Sequence, residues 1–167
     1  LRLARDPCTR VGLLRGDVAG DFGPVSHLRY FVDSLWHTVH VADLLTGGGY
    51  WTRILVPLVG PSGKVYAGNN PFFARFYTDA LNALLAEPAF KGVVRIDGPV
   101  DKLALPSDGS LDAVLMVMAY HDIFLTDEDR GALNKKVLAA LKPGGVYGII
   151  DHEAGAIELQ QRLGDTN

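Results

Sequence analysis

One stretch constrains the fold more than any other: residues 41–52, VADLLTGGGYWT. A short apolar run ends in Asp43, Gly47, Gly48 and Gly49 follow, and a helix-compatible run, YWTRILVPLV, comes next. Strand, glycine turn and helix in that order bring a backbone close to a nucleotide-like ligand, because a Cβ would block both the positive φ angles and the close approach. A tight strand-to-helix turn with no ligand needs the same residues, so the rest of the chain has to decide between the two.

The chain alternates. Residues 39–44 read as a strand, apolar with little alternation, as suits a parallel sheet buried on both faces. Residues 50–59 read as a helix that Pro57 should kink or shorten. Gly60-Pro61-Ser62-Gly63 is a turn and residues 64–67 a second strand. Asn70 then caps, with Pro71 at the first position, a helix to about residue 85. Residues 93–96 are a third strand, 97–106 a loop with at most one helical turn, and 111–118 the fourth and most apolar strand. Thr126 with Asp129 reads as a looser capping box opening a helix with an acidic first turn. Lys142-Pro143-Gly144-Gly145 stops that helix, and residues 146–150 are a fifth strand. Ahead of all this, residues 1–23 read as an irregular lead-in. After Pro24 and Ser26 an amphipathic helix presents Leu28, Phe31, Val32 and Leu35 on one face. Residues 155–167 hold one short helix at most. The reading is a lead-in over 1–38, an α/β domain over 39–154 and a C-terminal segment.

This order predicts a doubly wound, mostly parallel sheet with helices on both faces. Ligands of such folds bind outside the carboxyl ends of the strands. The unusual polar clusters all fall at those ends: Asp43 with the glycines, Asn69-Asn70, Asp97, Tyr120-His121-Asp122, and Asp151-His152. The Asp/His pairs raise a divalent cation as an alternative, but hydrogen bonding between loops is preferred and no metal is expected. Leu111, Val114, Leu115, Val117 and the aromatics of 72–77 read as core, whereas Trp36, Tyr50 and Trp51 are candidates to line a pocket.

Composition bounds the function. The 167 residues are 48% hydrophobic and 21% charged, ordinary for one globular domain. A net charge of −3 argues against a nucleic-acid surface. Cys8 is the only cysteine, which excludes an internal disulfide and thiolate-rich metal sites. No apolar run reaches a membrane span and no signal peptide is evident. The default is a cytoplasmic protein with no membrane or nucleic-acid partner.

Four segments in order, DLLTGGGYWT, GKVYAGN, SLDAVLMVMAYHD and ALKPGGVYGIIDH, resemble a class I S-adenosylmethionine-dependent methyltransferase, closest to a bacterial group of predicted methyltransferases. The resemblance spans about residues 39–154. It implies a Rossmann-like methyltransferase fold with S-adenosyl-L-methionine as cofactor. Asp43 and Gly47 to Gly49 would cradle its methionine part, Asn69 would meet the ribose, and the loop from Asp97 to Asp101 the adenine. Met118 would lie beside the methyl donor. His121 or Tyr120, with Asp122, would orient or deprotonate the acceptor. Three departures stand out. Leu45 replaces a glycine and narrows the pocket, Asn69 replaces an acid, and too little chain follows strand five for the helix and last two strands of the full fold, so either the domain is incomplete or those segments lie outside this sequence. An exposed fifth strand would predict pairing with another chain, as a homodimer. The alternatives are an NAD(P)-dependent oxidoreductase, which the partial G-x-G-x-x-G match serves poorly, and a non-catalytic protein that kept the fold.

Overall fold

The computed structural model describes residues 10–13, 39–123 and 126–151. In chain order they form β1 (Arg10–Leu13), β2 (His40–Leu44), α1 (Tyr50–Val59), β3 (Lys64–Gly68) and α2 (Pro71–Ala86). Then come β4 (Val94–Arg95), β5 (Leu111–Val117), the short α3 (Tyr120–Ile123), α4 (Arg130–Ala140) and β6 (Leu141–Ile150). The strands make one sheet in the order β1-β6-β5-β2-β3-β4, and every pairing is parallel. The chain runs outward from β2 through β3 to β4, then returns to place β5 on the other flank of β2. The switch point is therefore the crevice between β2 and β5.

Side chains of successive strand residues point to opposite faces. Ala42, Leu44 and Met116 enter one core cluster, with Leu133, Val137 and Ala140 of α4 and with Val100, Leu103 and Leu105. Val41, Ala113 and Leu115 enter another, with Leu55 and Val59 of α1. Leu81 and Leu84 of α2 form a third with Phe90. Both faces are covered, so the strand interiors are largely apolar, with the charged residues mostly toward the strand ends.

Several expectations are corrected. Residues 10–13 are a strand rather than irregular lead-in, registered Arg10 to Val146 through Leu13 to Ile149. Tertiary pairing forces this on a segment with no periodicity of its own. It also covers the flank of β6 expected to be exposed, which removes the motive for dimerisation through that edge. The helix expected from Thr126 begins at Arg130. Asp129 is its cap, accepting from the Gly131 and Ala132 N–H groups at 2.7 and 3.0 Å. Thr126 instead donates to the Ile123 carbonyl at 2.8 Å, closing α3. β6 starts five residues earlier than expected, because Leu141 already pairs with Leu111 and Lys142 to Gly145 bulge out of register. Phe76 and Tyr77 are 69% and 41% exposed rather than core. Pro57 leaves α1 intact to Val59. The expected helix after Ser26, Trp36, His152 and the 155–167 segment lie outside the described residues.

Candidate active site

Because all strands are parallel, their carboxyl ends form one rim, and the predicted site residues are distributed along it. Asp43 shares the α1-facing side of β2 with Val41, so its carboxyl points at the start of α1. It is 1% exposed. Its Oδ2 accepts from Thr46 Oγ1 at 2.5 Å and Thr52 Oγ1 at 2.7 Å, and the two hydroxyls lie 2.9 Å apart. The carboxyl thus holds both shoulders of the glycine loop together. Burial outweighs these hydrogen bonds and pushes its pKa up to about 6.

Gly47 and Gly49 have φ of +59° and +88°, the left-handed region. At Gly49 the demand is double, since a Cβ there would stand 2.2 Å from Leu84 Cδ2 on α2. A Cβ at Gly47 or Gly48 would also face α2, toward the Tyr77 ring and Ala80. The absent side chains let the loop settle on α2, which leaves ligand contact to the loop's backbone. Gly47 N–H donates to Asn69 Oδ1 and Asn69 Nδ2 donates to Gly47 O, both at 2.9 Å. Asn69 is 1% exposed, so its amide is engaged with the loop and not presented to a ribose. Asn69 N–H in turn donates to Asp97 Oδ1 at 2.8 Å, and Arg95 Nε pairs with Asp97 Oδ2 at 2.5 Å. Asp101 is exposed in the short helical turn Val100–Lys102. Asn70 caps α2 through Phe73 N–H at 2.9 Å. Its Nδ2 reaches Glu128 Oε2 at 2.5 Å, while Glu128 Oε1 accepts from Val100 N–H at 3.0 Å.

The walls of the switch-point crevice carry two backbone outliers. Leu45, just past β2, has φ +53°, and Met118, just past β5, has φ +54°. Non-glycine residues in this region cost about 1–2 kcal/mol each, and such outliers cluster at functional sites. Leu45 is 3% exposed within the core cluster of the α4 face, whereas Met118 is 37% exposed at the rim. Met118 N–H donates to Ile150 O at 2.7 Å, tying the ends of β5 and β6.

That tie brings the next residues together. Asp151 accepts from His121 N–H at 2.8 Å through Oδ2 and meets His121 Nδ1 at 2.5 Å through Oδ1. His121 Nε2 lies 3.4 Å from Asp122 Oδ1. The Tyr120 hydroxyl accepts from Asn134 Nδ2 on α4 at 3.0 Å, directing it to the packed face. Below it, the buried Tyr147 hydroxyl and Asn134 Oδ1 have no partner among the described residues, and burial pushes the Tyr147 pKa further upward. No group of three metal-ligating side chains with suitable geometry occurs among the described residues.

Sequence reasoning did not assign Thr46, Thr52, Glu128 or the His121–Asp151 pair. Thr46 and Thr52 lie three and nine residues after Asp43, and a buried carboxyl at a strand end needs donors of their kind. Glu128 reads from the sequence as part of an acidic helix turn, and Asp151 as a residue that hydrogen-bonds between loops, without His121 being picked out as its partner.

No protein-family model and no curated protein matches the chain. Its fold is similar to that of solved methyltransferases. One is an S-adenosylmethionine-dependent methyltransferase from Aquifex aeolicus, with TM-score 0.61 and 23% identity over 86% of this chain and 78% of that one. Another is an S-adenosylmethionine-dependent O-methyltransferase from Thermotoga maritima, with TM-score 0.56 and 18% identity over 83% and 46%. A third is the glycopeptide N-methyltransferase MtfA in complex with S-adenosylhomocysteine, with TM-score 0.53 and 21% identity over 81% and 52%. The chain spans about half the length of the last two. At these identities the likeness establishes the class I methyltransferase fold.

Proposed function

We propose that this protein binds S-adenosylmethionine across the β2/β5 crevice and transfers its methyl group to a small molecule. The observation that carries the reading is the pair of left-handed glycines pinned at the switch point, in a fold similar to that of proteins which use this cofactor. The rim fits such a ligand in kind. Gly48 is partly exposed and its backbone N–H suits a carboxylate tail, the carboxylates of Asp97 and Asp101 suit hydroxyl and amino groups, and Met118 offers a thioether at the donor's end. Asn69 acts one step back, by fixing Gly47.

The bound cofactor supplies a methyl group on a sulfonium, which an acceptor takes by in-line displacement, leaving the bonding pair on sulfur. The residues on the rim mainly hold donor and acceptor in line. Where the acceptor carries an O–H or N–H, His121 Nε2 takes the departing proton. The Tyr120 hydroxyl, turned to Asn134, leaves that role to the histidine. Asp122, 3.4 Å from Nε2, stabilises the imidazolium that results.

A second reading has an observation of its own. Asn69 is engaged with Gly47 and Leu45 fills a glycine position with a buried side chain, which favours a protein that kept the fold without the ligand. The same asparagine weakens the NAD(P) reading, which needs an acid after the second of the predicted strands. Melting curves with S-adenosylmethionine, S-adenosylhomocysteine, NADH and NADPH separate the three, since a ligand of the folded state raises the melting temperature. The proposal expects a concentration-dependent rise with the first two alone. A rise with NAD(P)H alone, or none at all at millimolar ligand, overturns it.

A further inference from the structure

We propose that Asp151 is a positioning residue that fixes the tautomer of His121, so that Nδ1 carries the proton and Nε2 is the basic nitrogen. The inference rests on the methyltransferase reading for its purpose, but its geometry stands without it. Asp151 follows β6 and His121 opens the turn after β5, two strands paired in parallel register up to Val117 and Ile150. Met118 N–H on Ile150 O keeps their ends in step. The carboxylate meets His121 at two points, the backbone N–H and ring Nδ1. An ionised carboxylate only accepts, and of the two near the ring Asp151 meets Nδ1 at 2.5 Å while Asp122 stands 3.4 Å from Nε2, so the proton sits on Nδ1. The neutral ring is then the Nδ1–H form, with its lone pair on Nε2.

The two-point grip also fixes the ring's direction. Asp151 has a side chain 12% exposed, against 43% for His121. The carboxylate is the anchored partner and the imidazole the presented one. A proton taken up at Nε2 would lie between the ring and Asp122, whose Oδ1 is 3.4 Å from that nitrogen. An aspartate that holds one ring nitrogen so the other can act as base is a known arrangement in acyl transfer. Here two adjacent strand ends build it.

Asp151→Asn tests the assignment. The His121 backbone N–H keeps the amide oxygen, so the amide nitrogen is left facing Nδ1 as a donor, and the ring must switch to the Nε2–H form. Long-range 1H–15N spectra of the imidazole rings read this directly, with His121 identified by the signals lost in His121→Gln. The expected result is the Nδ1–H form in the wild-type protein at pH 7–8 and the Nε2–H form in Asp151→Asn. An Nε2–H ring in the wild type overturns the proposal, and that measurement needs no variant at this position to fold. A ring whose tautomer is the same in wild type and Asp151→Asn overturns it as well. The melting-temperature response to S-adenosylhomocysteine is read separately, so loss of the ligand reading and loss of this one are distinguishable.

Discussion

Replacing Asn69 with aspartate removes one atom's chemistry from the glycine loop and keeps the side chain's shape. In the wild type the amide oxygen accepts from Gly47 N–H and the amide nitrogen donates to Gly47 O, both at 2.9 Å. A carboxylate keeps the first bond and turns the second into two acceptors facing each other at a position 1% exposed. The lost bond is worth about 1 kcal/mol and the unsatisfied, repelled acceptor about 1–3 kcal/mol more. A chain of this size shifts its melting temperature by roughly 2–4 °C per kcal/mol. N69D should therefore melt about 4–16 °C below wild type at pH 7.5 by circular dichroism. The loss should shrink as pH falls, because a protonated carboxyl can donate to Gly47 O again. Burial raises the introduced group's folded pKa, so its penalty is absent below the unfolded value of about 3.9 and fully present above the folded one. A variant that melts within about 1 °C of wild type at pH 7.5 would refute the claim that Asn69 holds the loop.

Other positions give independent checks. Gly49→Ala places a Cβ 2.2 Å from Leu84 Cδ2 at φ +88°, and should cost about 2–5 kcal/mol in urea unfolding from overpacking and backbone strain together. Gly48→Ala, with its nearest contact at 3.3 Å, should cost clearly less. The carboxyl of Asp43, pushed up to about 6 by burial from 3.8, binds its proton more tightly in the folded state than in the unfolded one. Its ionisation therefore costs nothing below the unfolded pKa and opposes folding increasingly as pH rises to about 6, by a total on the order of 3 kcal/mol. Urea midpoints at pH 4, 5, 6 and 7 should show wild type losing ground to Asp43→Asn across that window, and parallel curves would contradict it. Leu45→Gly relieves about 1–2 kcal/mol of left-handed strain but empties a buried leucine site worth about 2–5 kcal/mol. A net loss of up to about 4 kcal/mol should follow, and a gain in stability would contradict the packing assigned to Leu45.

What could be read in advance was whatever local pattern dictates. The buried parallel strands announce themselves through apolar runs such as AVLMV, residues 113–117, and the Asn70-Pro71 start of α2 through cap chemistry alone. The rim followed from topology, since parallel strands end on one side. What escaped depends on partners distant in sequence. Arg10–Leu13 has no strand pattern and becomes one only against β6. Asp129 outcompeted Thr126 as the cap because its side chain reaches two N–H groups. Phe76 and Tyr77 are exposed because the core takes Leu81 and Leu84 from α2 instead, a choice that periodicity does not encode. At the site, residue types were legible but their engagements were not. The sequence offers Asn69 to a ribose, but Gly47 holds its amide on both sides; for Asp151 it suggests hydrogen bonding between loops, and only the structure supplies the partner, His121.

A titration of the 15N-labelled protein with S-adenosylhomocysteine, followed by backbone amide shifts, tests the central claim most directly. The account predicts saturable shifts concentrated at Gly47 to Gly49, around Asp97 to Asp101, and from Met118 to Asp122. A second hollow of about 380 Å³ opens between the end of α1 and the starts of β3 and β4, lined by Val56, Val59, Val65 and Val93. Saturable shifts confined to that hollow, or no saturable shifts at all, would contradict the account.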